Sequence, residues 1–536
     1  MGSKKLQVAL PLIIAIAMAA GMFIGYKLRE KTSGAAIFFQ NAPSSNIGEV
    51  VNLIKSKYVD PIEEDSLQAL VINDVLKHLD PHSVFIPAKE LQSLNEELRG
   101  NFKGIGIEFQ LINDTTHIIS VLKDGPGFKA GLQVGDRILF IDDTIKVSGA
   151  QKKADVIRTY IRGSKQNEVK LTVERSGAKK VISIVRGSIP LPSVDAAYLL
   201  EPGVGYIKIS KFSETTYEEF MQQLEILLAK KIDKLVLDLR GNGGGLMSEA
   251  VDIADEFLSN DKLVVYTEGN KSPRYEYRCK RDGLFESGRL AVLIDETSAS
   301  ASEVLSGALQ DWDRATIIGR RSFGKGLVQQ QYPLSDGSGL RLTVARYFTP
   351  LGRNIQKPYG KGANPYEEEV LDRVHSGEIY HGSDSSYKKG KVYKTPKGRL
   401  VYGGGGIVPD VFVAADSLVP SESLMQLYRT NIISLSAYRY YMQYQKQLEA
   451  YKTPAAFAKS FNGAYGYPYV LAAATLENIN LNSINNAEYN LINERFKALL
   501  ARQIWRNEGF YEVLNSKDNT IKTALQFLDK PDSSIP

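Results

Sequence analysis

The chain has 536 residues, of which 43% are hydrophobic and 24% are charged, so it is long enough for several globular domains. Its 66 basic and 61 acidic side chains give a net charge of +5 without a basic stripe, which argues against a nucleic-acid-binding protein. The single cysteine, Cys279, excludes an intramolecular disulfide and a CxxC zinc site. We predict neither a metal nor a cofactor.

The first predicted element is a membrane anchor in residues 1–31. An apolar run from Leu6 to Tyr26 follows two lysines and is about long enough to cross a ~30 Å hydrocarbon core as a helix. Lys27 and Leu28 do not complete the small-x-small pattern of a signal-peptide cleavage site, which favours an uncleaved anchor over a cleaved signal. In a bacterial cell we therefore expect a single-pass inner-membrane protein whose body lies in the periplasm.

Four further regions follow a linker at 32–45. Residues 46–100 have the i, i+3, i+4 spacing of helices, with a turn at Asp80-Pro81-His82-Ser83. Short strands dominate residues 101–187. Residues 188–415 alternate strands with helices, which is typical of an α/β layer structure, and contain a polar stretch at 358–399 that we predict to be an insertion. Residues 416–536 are predicted to be helical.

Three serines, Ser298, Ser300 and Ser302, lie between a strand predicted to end at Asp295 and a helix predicted to begin near Ser302. Backbone N–H groups at a helix start are unpaired and the helix dipole favours negative charge there, so a serine at this turn is suited to nucleophilic attack. Serines also cap helices without any catalytic role, and this segment alone favours that simpler interpretation. It does not distinguish between the three serines.

A nucleophilic serine needs a base, and histidine and lysine are the candidates. The five histidines lie outside this strand–helix unit, which excludes them only weakly. Lys325 stands between Gly324 and Gly326, and burial there would lower its pKa from about 10.4 toward neutrality. The stretch from Gly319 to Lys325 also fits the phosphate-loop pattern GxxxxGK, but Gly326 replaces the required Ser or Thr, which disfavours nucleotide binding.

A third motif, the glycine-rich loop of Asp238–Gly245, follows a predicted strand and precedes a predicted helix. Three interpretations are open for it: a phosphate loop, a plain turn, or a set of amides that bind an oxyanion. The spacing does not match GxGxxG, so a dinucleotide-binding fold is poorly supported.

The order of these motifs resembles the C-terminal processing peptidases, or tail-specific proteases, of serine peptidase family S41. The resemblance covers about 45–415 and is carried by Asp238–Gly245, Thr297–Glu303, Gly307–Asp311, Ser322–Gln330, Asp336–Ser338, Leu342–Thr343, Tyr347–Pro350 and Gly406–Asp410. It implies a multidomain α+β chain. The implied parts are a β-rich PDZ domain at 101–187 and an α/β protease core of ClpP/crotonase-like type at 188–415. The sequence pattern adds the anchor, a helical region at 46–100 and a helical C-terminal domain at 416–536.

The resemblance also implies a catalytic site. Ser300 matches the family's nucleophile, Lys325 its general base, and Gln329 the residue that orients the lysine. The implied oxyanion donors are the backbone N–H of Ala301 and that of Gly243 or Gly244, between which the sequence does not choose.

Residues 102–107 resemble the carboxylate-binding loop of a PDZ domain, and Asp124–Gly127 with Gly135–Ile138 resembles its later signature. The chain is therefore expected to be a serine endopeptidase that binds the C-termini of protein or peptide substrates and cleaves upstream. The implied carboxylate-binding residues are Gly104, Ile105, Gly106 and Ile107. The alternative is a non-catalytic PDZ-bearing adaptor. For the insertion and the C-terminal domain three roles stay open: covering the active site, binding an adaptor, or forming a homodimer.

Overall fold

The computed structural model describes residues 46–60, 64–149, 151–163, 167–259, 261–360, 363–382, 390–415 and 420–530. The predicted anchor, residues 1–31, lies outside these ranges. Within them, no helix combines the length and the apolar character needed to cross a bilayer. The chain divides into two units, residues 1–75 and 76–536.

The first unit contains helix α1 (Asn46–Lys57) and most of helix α2 (Glu64–Lys77), as the helical spacing of this segment predicts. The second unit continues through strand β1 (Val84–Ile86) to helix α3 (Ala88–Arg99). The structure differs from the prediction at β1, since this segment of the expected helical region pairs antiparallel with the start of strand β18 (Gly339–Phe348).

The β-rich region forms a sheet ordered β3-β4-β5-β7-β8, in which β6 pairs with β5, beside a separate β2–β9 ladder. Its strands are β2 (Asn101–Gly104), β3 (Ile107–Ile112), β4 (Thr115–Val121), β5 (Arg137–Ile141), β6 (Ile145–Lys146), β7 (Glu168–Arg175), β8 (Ala178–Val185) and β9 (Gly187–Pro190), and its helices are α4 (Pro126–Lys129) and α5 (Ala154–Arg162). Alternate residues of β7, Val169, Leu171 and Val173, point into its core, as expected for a strand with one buried face. Among the described strands β3 pairs only with β4, so one edge of β3 is open.

The central sheet of the next region has the order β10-β11-β12-β15-β16-β21, with β11 to β21 parallel and β10 antiparallel at one edge. Its strands are β10 (Val194–Glu201), β11 (Val204–Ile209), β12 (Lys234–Asp238), β15 (Arg289–Ile294), β16 (Thr316–Gly319) and β21 (Val411–Phe412). One face packs against helices α6 (Thr216–Ala229), α7 (Met247–Asp255) and α8 (Ala301–Asp311). Both faces are buried, which explains why Lys208 is the one charged residue of β11 and why β12 is apolar from Leu235 to Leu237.

A second sheet, ordered β1-β18-β13-β14 with β17 paired to β18, stands beside this layer. Its other strands are β13 (Leu263–Gly269), β14 (Ser272–Arg278) and β17 (Leu327–Pro333). The stretch predicted to be an insertion contains helix α9 (Ala363–His375), helix α10 (Glu378–His381) and strand β19 (Val392–Lys394), which pairs with β20 (Leu400–Tyr402).

The C-terminal region is helical, as predicted. Its helices are α11 (Glu422–Arg429), α12 (Ile432–Leu448), α13 (Pro454–Ser460), α14 (Tyr467–Leu476), α15 (Asn486–Asn515) and α16 (Asn519–Asp529), with a short 3₁₀ turn at Gly463–Gly466. Helix α15 is interrupted at Arg506, whose φ of 55° is not helical and whose guanidinium donates to the carbonyl of Val121 at the end of β4. Helix α16 covers the second face of the central sheet through Ile521, Ala524 and Leu528.

Candidate active site

Two neighbouring parallel strands bring the glycine loop and the serine segment together. Strands β12 and β15 pair in register, so their carboxyl ends lie at the same edge of the sheet, where α/β folds commonly bind ligands. The glycine loop follows β12 and the serine segment follows β15. The backbone N–H of Ala299 donates to the carbonyl of Asn242 at 3.0 Å, and the Ser302 hydroxyl donates to the same oxygen at 2.9 Å.

The three candidate serines differ in burial and in the hydrogen bonds of their hydroxyl groups. Ser298 and Ser302 are fully buried, and their hydroxyls donate to the carbonyls of Leu239 and Asn242, each at 2.9 Å. Ser300 is only half-buried and lines the cleft at the edge of the sheet. Ser298 and Ser302 therefore hold the loops together, while Ser300 is the serine that a substrate can reach.

Ser300 stands at a strained turn immediately before helix α8. Its φ of 56° and ψ of −113° lie outside the regions that an L-residue prefers, a distortion that costs on the order of 1–3 kcal/mol and persists only when the surroundings enforce it. Its N–H donates to Oε2 of Glu303 at 2.9 Å, and its carbonyl accepts from the hydroxyl of Tyr347 at 3.1 Å. These two side chains fix the backbone on both sides of the nucleophile candidate.

The cleft beside Ser300 has a volume of about 600 Å³. It contains every residue of the predicted catalytic and oxyanion sets: Ser300, Lys325, Gln329, Ala301, Gly243 and Gly244. Gln329 lies on β17, and its amide donates to the carbonyl of Leu327 at 3.4 Å. The guanidinium of Arg341, from the neighbouring strand β18, lines the same cleft.

The environment of Lys325 lowers the pKa of its ammonium to about 8, from an ordinary value near 10.5. Burial is the largest cause, because desolvation disfavours the charged form, and the positive charge of Arg341 acts in the same direction. The carboxylates of Glu303 and Asp80 partly oppose the shift. A substantial fraction of Lys325 is thus neutral, and able to accept a proton, near physiological pH.

Glu303 connects the serine to the lysine. Its fully buried carboxylate accepts four hydrogen bonds: at Oε2 from the N–H groups of Ser300 (2.9 Å) and Lys325 (2.8 Å), and at Oε1 from the Gly324 N–H (2.7 Å) and the Ser322 hydroxyl (2.5 Å). The sequence analysis did not single out this residue. The Ser-x-x-Glu spacing of a helix capping box, Ser300 to Glu303, was the available signal.

The segment from 321 to 326, which we call the lysine loop, is joined to three other parts of the chain. The N–H of Phe323 donates to the carbonyl of Ser298 at 2.9 Å, and the hydroxyl of Tyr347 donates to the carbonyl of Lys325. Ser322 exchanges two hydrogen bonds with Ile407, one from its N–H to the Ile407 carbonyl and one from the Ile407 N–H to its hydroxyl. The conformation of the lysine loop therefore depends on a contact with Ile407, which lies more than eighty positions downstream in the chain.

Burial, and after it the charge of Lys325, lowers the pKa of His82, in the turn before β1, to about 4. Its Nε2 lies 2.9 Å from the hydroxyl of Tyr366. His82 is not among the residues that line the cleft. It is neutral at physiological pH, but too weak a base to remove a proton from a serine, which favours Lys325 in that role.

The glycine loop presents its two candidate amides differently. The Gly244 N–H already donates to Oδ1 of Asn242 at 2.8 Å, whereas within the described residues the Gly243 N–H has no acceptor. Gly244 has a φ of 99°, and a Cβ there would lie 2.7 Å from the carbonyl oxygen of Ala299 and 2.8 Å from Cβ of Ser300. Gly243 is therefore the available donor, and Gly244 permits the close approach to the serine.

A second depression, of about 300 Å³, lies between β3 and α5 in the β-rich domain. It contains all four predicted carboxylate-binding residues, Gly104, Ile105, Gly106 and Ile107. The carbonyls of Ile105 and Gly106 accept bonds from Gly127 and Leu122, but their N–H groups have no acceptor in the described part of the chain. Phe109 and Ile161 supply apolar lining, and Arg158 and Arg162 supply positive charge.

The chain matches three sequence profiles: peptidase family S41 at 203–365, a PDZ domain at 103–185, and DUF8443, a family of unknown function, at 423–506. It is 34% identical to the carboxy-terminal-processing protease of Bartonella bacilliformis, over 66% of this chain and 81% of the relative. It is 36% identical to a "Probable CtpA-like serine protease" of Staphylococcus aureus, over 65% of this chain and 68% of the relative.

Similar solved structures include the photosystem II D1 C-terminal processing protease, at 29% identity over 57% of this chain and 83% of that one, with a TM-score of 0.32. Another is the PDZ domain of the carboxy-terminal protease from Vibrio cholerae in complex with a peptide. It is 32% identical over 17% of this chain and 99% of that one, with a TM-score of 0.16.

Replacing Glu303 by Gln is expected to lower kcat by about 100-fold or more, because the amide NH₂ would face two donors that the carboxylate now accepts. The measurement is steady-state peptide cleavage. Glu296→Gln is the matched control, since Glu296 lies in the same segment but pairs with Arg320. Wild-type kcat in Glu303→Gln would contradict the role assigned to this carboxylate.

Proposed function

The chain belongs to peptidase family S41 and is a serine-type carboxy-terminal-processing protease with a PDZ domain, and we propose that it cleaves peptide bonds with a dyad of Ser300 and Lys325. One observation carries this proposal. Ser300 is the one of the three clustered serines that is not fully buried, and it lines the same cleft as Lys325, a lysine of lowered pKa.

The proposed reaction begins with neutral Lys325. Its Nζ accepts the proton of the Ser300 hydroxyl as Oγ attacks the scissile carbonyl carbon. The oxyanion that forms is stabilised by the N–H of Ala301 at the start of α8, for which the described residues supply no acceptor, and by the N–H of Gly243. Collapse of this intermediate breaks the C–N bond, and the leaving amine takes the proton from Lys325. Water, deprotonated by Lys325, then hydrolyses the acyl-enzyme ester and restores both residues.

Gln329 is proposed to orient the Lys325 side chain, because it lies on β17, which begins two residues after the lysine, and lines the same cleft. An orienting role predicts a lower kcat in Gln329→Ala with little change in KM, which sets it apart from a role in substrate binding.

We further propose that the PDZ domain binds the C-terminus of the substrate. The N–H groups of Ile105 and Gly106, which have no acceptor among the described residues, can donate to a terminal carboxylate, and the open edge of β3 can pair with the residues that precede it. Arg158 and Arg162 add positive charge beside the apolar floor of the groove.

We propose that residues 1–31 anchor the protein in a bacterial inner membrane with the protease in the periplasm. The apolar run of 6–26 supports this placement. Resistance of the membrane-bound protein to alkaline carbonate extraction, combined with digestion by protease added to spheroplasts, tests both parts.

Ser300→Ala and Lys325→Ala are each expected to reduce cleavage of a loosely folded substrate by at least about 10⁴-fold, because nucleophile and base act as a unit. Ser306→Ala is the matched control, since the Ser306 hydroxyl only donates to the Ser302 carbonyl within α8. Peptide products are counted by mass spectrometry. Retained activity in both dyad variants would refute the dyad, and peptide binding without any turnover by the wild-type chain would favour an adaptor.

The pH dependence of kcat/KM is expected to rise through about pH 8, because only neutral Lys325 can accept the serine proton and its pKa is about 8. Arg341→Gln removes a nearby positive charge, which raises the lysine pKa and moves the rising limb to higher pH. Initial rates from pH 6 to 10 measure both. A rising limb near pH 6.5, the ordinary histidine value, would instead indicate a histidine base.

A peptide with a free C-terminus is expected to bind the full chain at least about tenfold more tightly than the same peptide with an amidated C-terminus, because amidation removes the charge that the Ile105 and Gly106 amides would bind. Fluorescence anisotropy on Ser300→Ala prevents cleavage during the titration. Equal affinities for the free and the amidated peptide would show that the groove does not recognise the terminal carboxylate.

A further inference from the structure

The backbone of the lysine loop has a partner for almost every polar group, although the loop is neither helix nor strand. The N–H groups of Gly324 and Lys325 donate to Glu303, and that of Gly326 donates to Oε1 of Gln356 at 2.8 Å. The carbonyl of Gly324 accepts from the N–H of Lys357 at 2.9 Å. Such complete pairing indicates that the loop has one conformation.

Three consecutive carbonyls of the loop, those of Arg321, Ser322 and Phe323, accept hydrogen bonds from one guanidinium. Nη1 of Arg373 donates to the carbonyls of Arg321 at 3.0 Å and Ser322 at 2.8 Å, and its Nη2 donates to that of Phe323 at 3.2 Å. The Arg373 side chain is only 2% exposed. Arginine suits this position because its planar fork offers five donors in fixed directions, which a lysine ammonium cannot match.

Glu369 fixes the direction of this guanidinium from one turn earlier in helix α9. Its Oε1 accepts from Nε of Arg373 at 2.9 Å, and its Oε2 accepts from Nζ of Lys357 at 3.0 Å. Although burial opposes ionisation, the hydrogen bond and charge of Arg373, with the charges of Lys357 and Arg321, lower the pKa of Glu369 to about 2. The carboxylate is therefore ionised at neutral pH.

Helix α9 begins at Ala363, so all but its first three residues lie beyond the match to peptidase family S41, in the stretch that the sequence predicted to be an insertion. We propose that Arg373 is a positioning residue for the general base. It binds the carbonyl groups of the lysine loop, as Glu303 binds its N–H groups, and thereby holds Lys325 in its buried position beside the cleft. This inference rests on the proposed dyad.

The physical consequence of losing Arg373 follows from the three carbonyls. Buried and without donors, they would turn toward water, and the loop would open. Lys325 would then move away from Ser300 and become more hydrated, so that kcat falls and its pKa returns toward the ordinary value. The charge of Arg373 is not among the causes of the lowered lysine pKa, so any shift in the pH dependence reports loop geometry.

The test compares Arg373→Lys with Arg399→Lys in the full chain. Arg399 is another buried arginine of the same stretch, and it donates to the carboxylate of Asp410 at 2.7 Å and the carbonyl of Gln310 at 2.6 Å, away from the lysine loop. Arg373→Lys is expected to lower kcat at least about tenfold with KM within about twofold. It should also move the rising limb of the pH profile of kcat to higher pH by about half a unit or more.

Arg399→Lys is expected to leave the kcat and the rising limb near their wild-type values, whatever it does to the melting temperature. Equal effects of the two variants, or an unchanged rising limb in Arg373→Lys, would overturn the proposal. If Arg373→Lys does not fold, as judged by circular dichroism, Glu369→Gln takes its place and should shift the limb in the same direction by a smaller amount, while an unshifted limb would again overturn it.

Lys325→Ala, assayed in the same series, separates this proposal from the dyad. An inactive Lys325→Ala with an unaffected Arg373→Lys would leave the dyad standing and remove the positioning role. Activity in Lys325→Ala would contradict both the dyad and the positioning role of Arg373.

Discussion

The active site depends on the buried carboxylate of Glu303. Burial raises the pKa of Glu303, since a charge removed from water costs several kcal/mol, and the four hydrogen bonds that it accepts offset part of this cost. Two of the four donors are the backbone N–H groups of Ser300 and Lys325, the proposed nucleophile and base. A single side chain therefore fixes the separation of two residues that come from different sheets.

The two sheets meet at this carboxylate. Ser300 follows a strand of the central parallel sheet, whereas Lys325 immediately precedes β17 of the second sheet. The hydroxyl of Tyr347, from β18, lies within hydrogen-bond distance of the carbonyls of both residues, which share its one proton. Any shift of one sheet against the other would change the geometry of the proposed dyad, and the buried polar contacts of Glu303 oppose such a shift.

The motifs of the sequence predicted the serine segment, the lysine loop and the glycine loop, and the structure places all three in one cleft. Local sequence could not select Ser300 over Ser298 and Ser302 without the family resemblance, because the difference is whether each hydroxyl finds a buried carbonyl. Strand β1 escaped prediction because a three-residue strand has too little periodicity. Arg373 was not predicted because the carbonyls of the lysine loop to which it donates lie about fifty residues away in the chain.

The paired hydrogen bonds between Ser322 and Ile407 have a consequence for the time at which the enzyme becomes active. A ribosome releases the chain from its N-terminus, so the serine, the lysine and the glycine loop emerge well before Ile407. Until that residue emerges, the two hydrogen bonds between Ser322 and Ile407 cannot form, and the lysine loop lacks one of its attachments. The order of synthesis therefore makes the completed set of contacts around Lys325 a late event in the formation of this site.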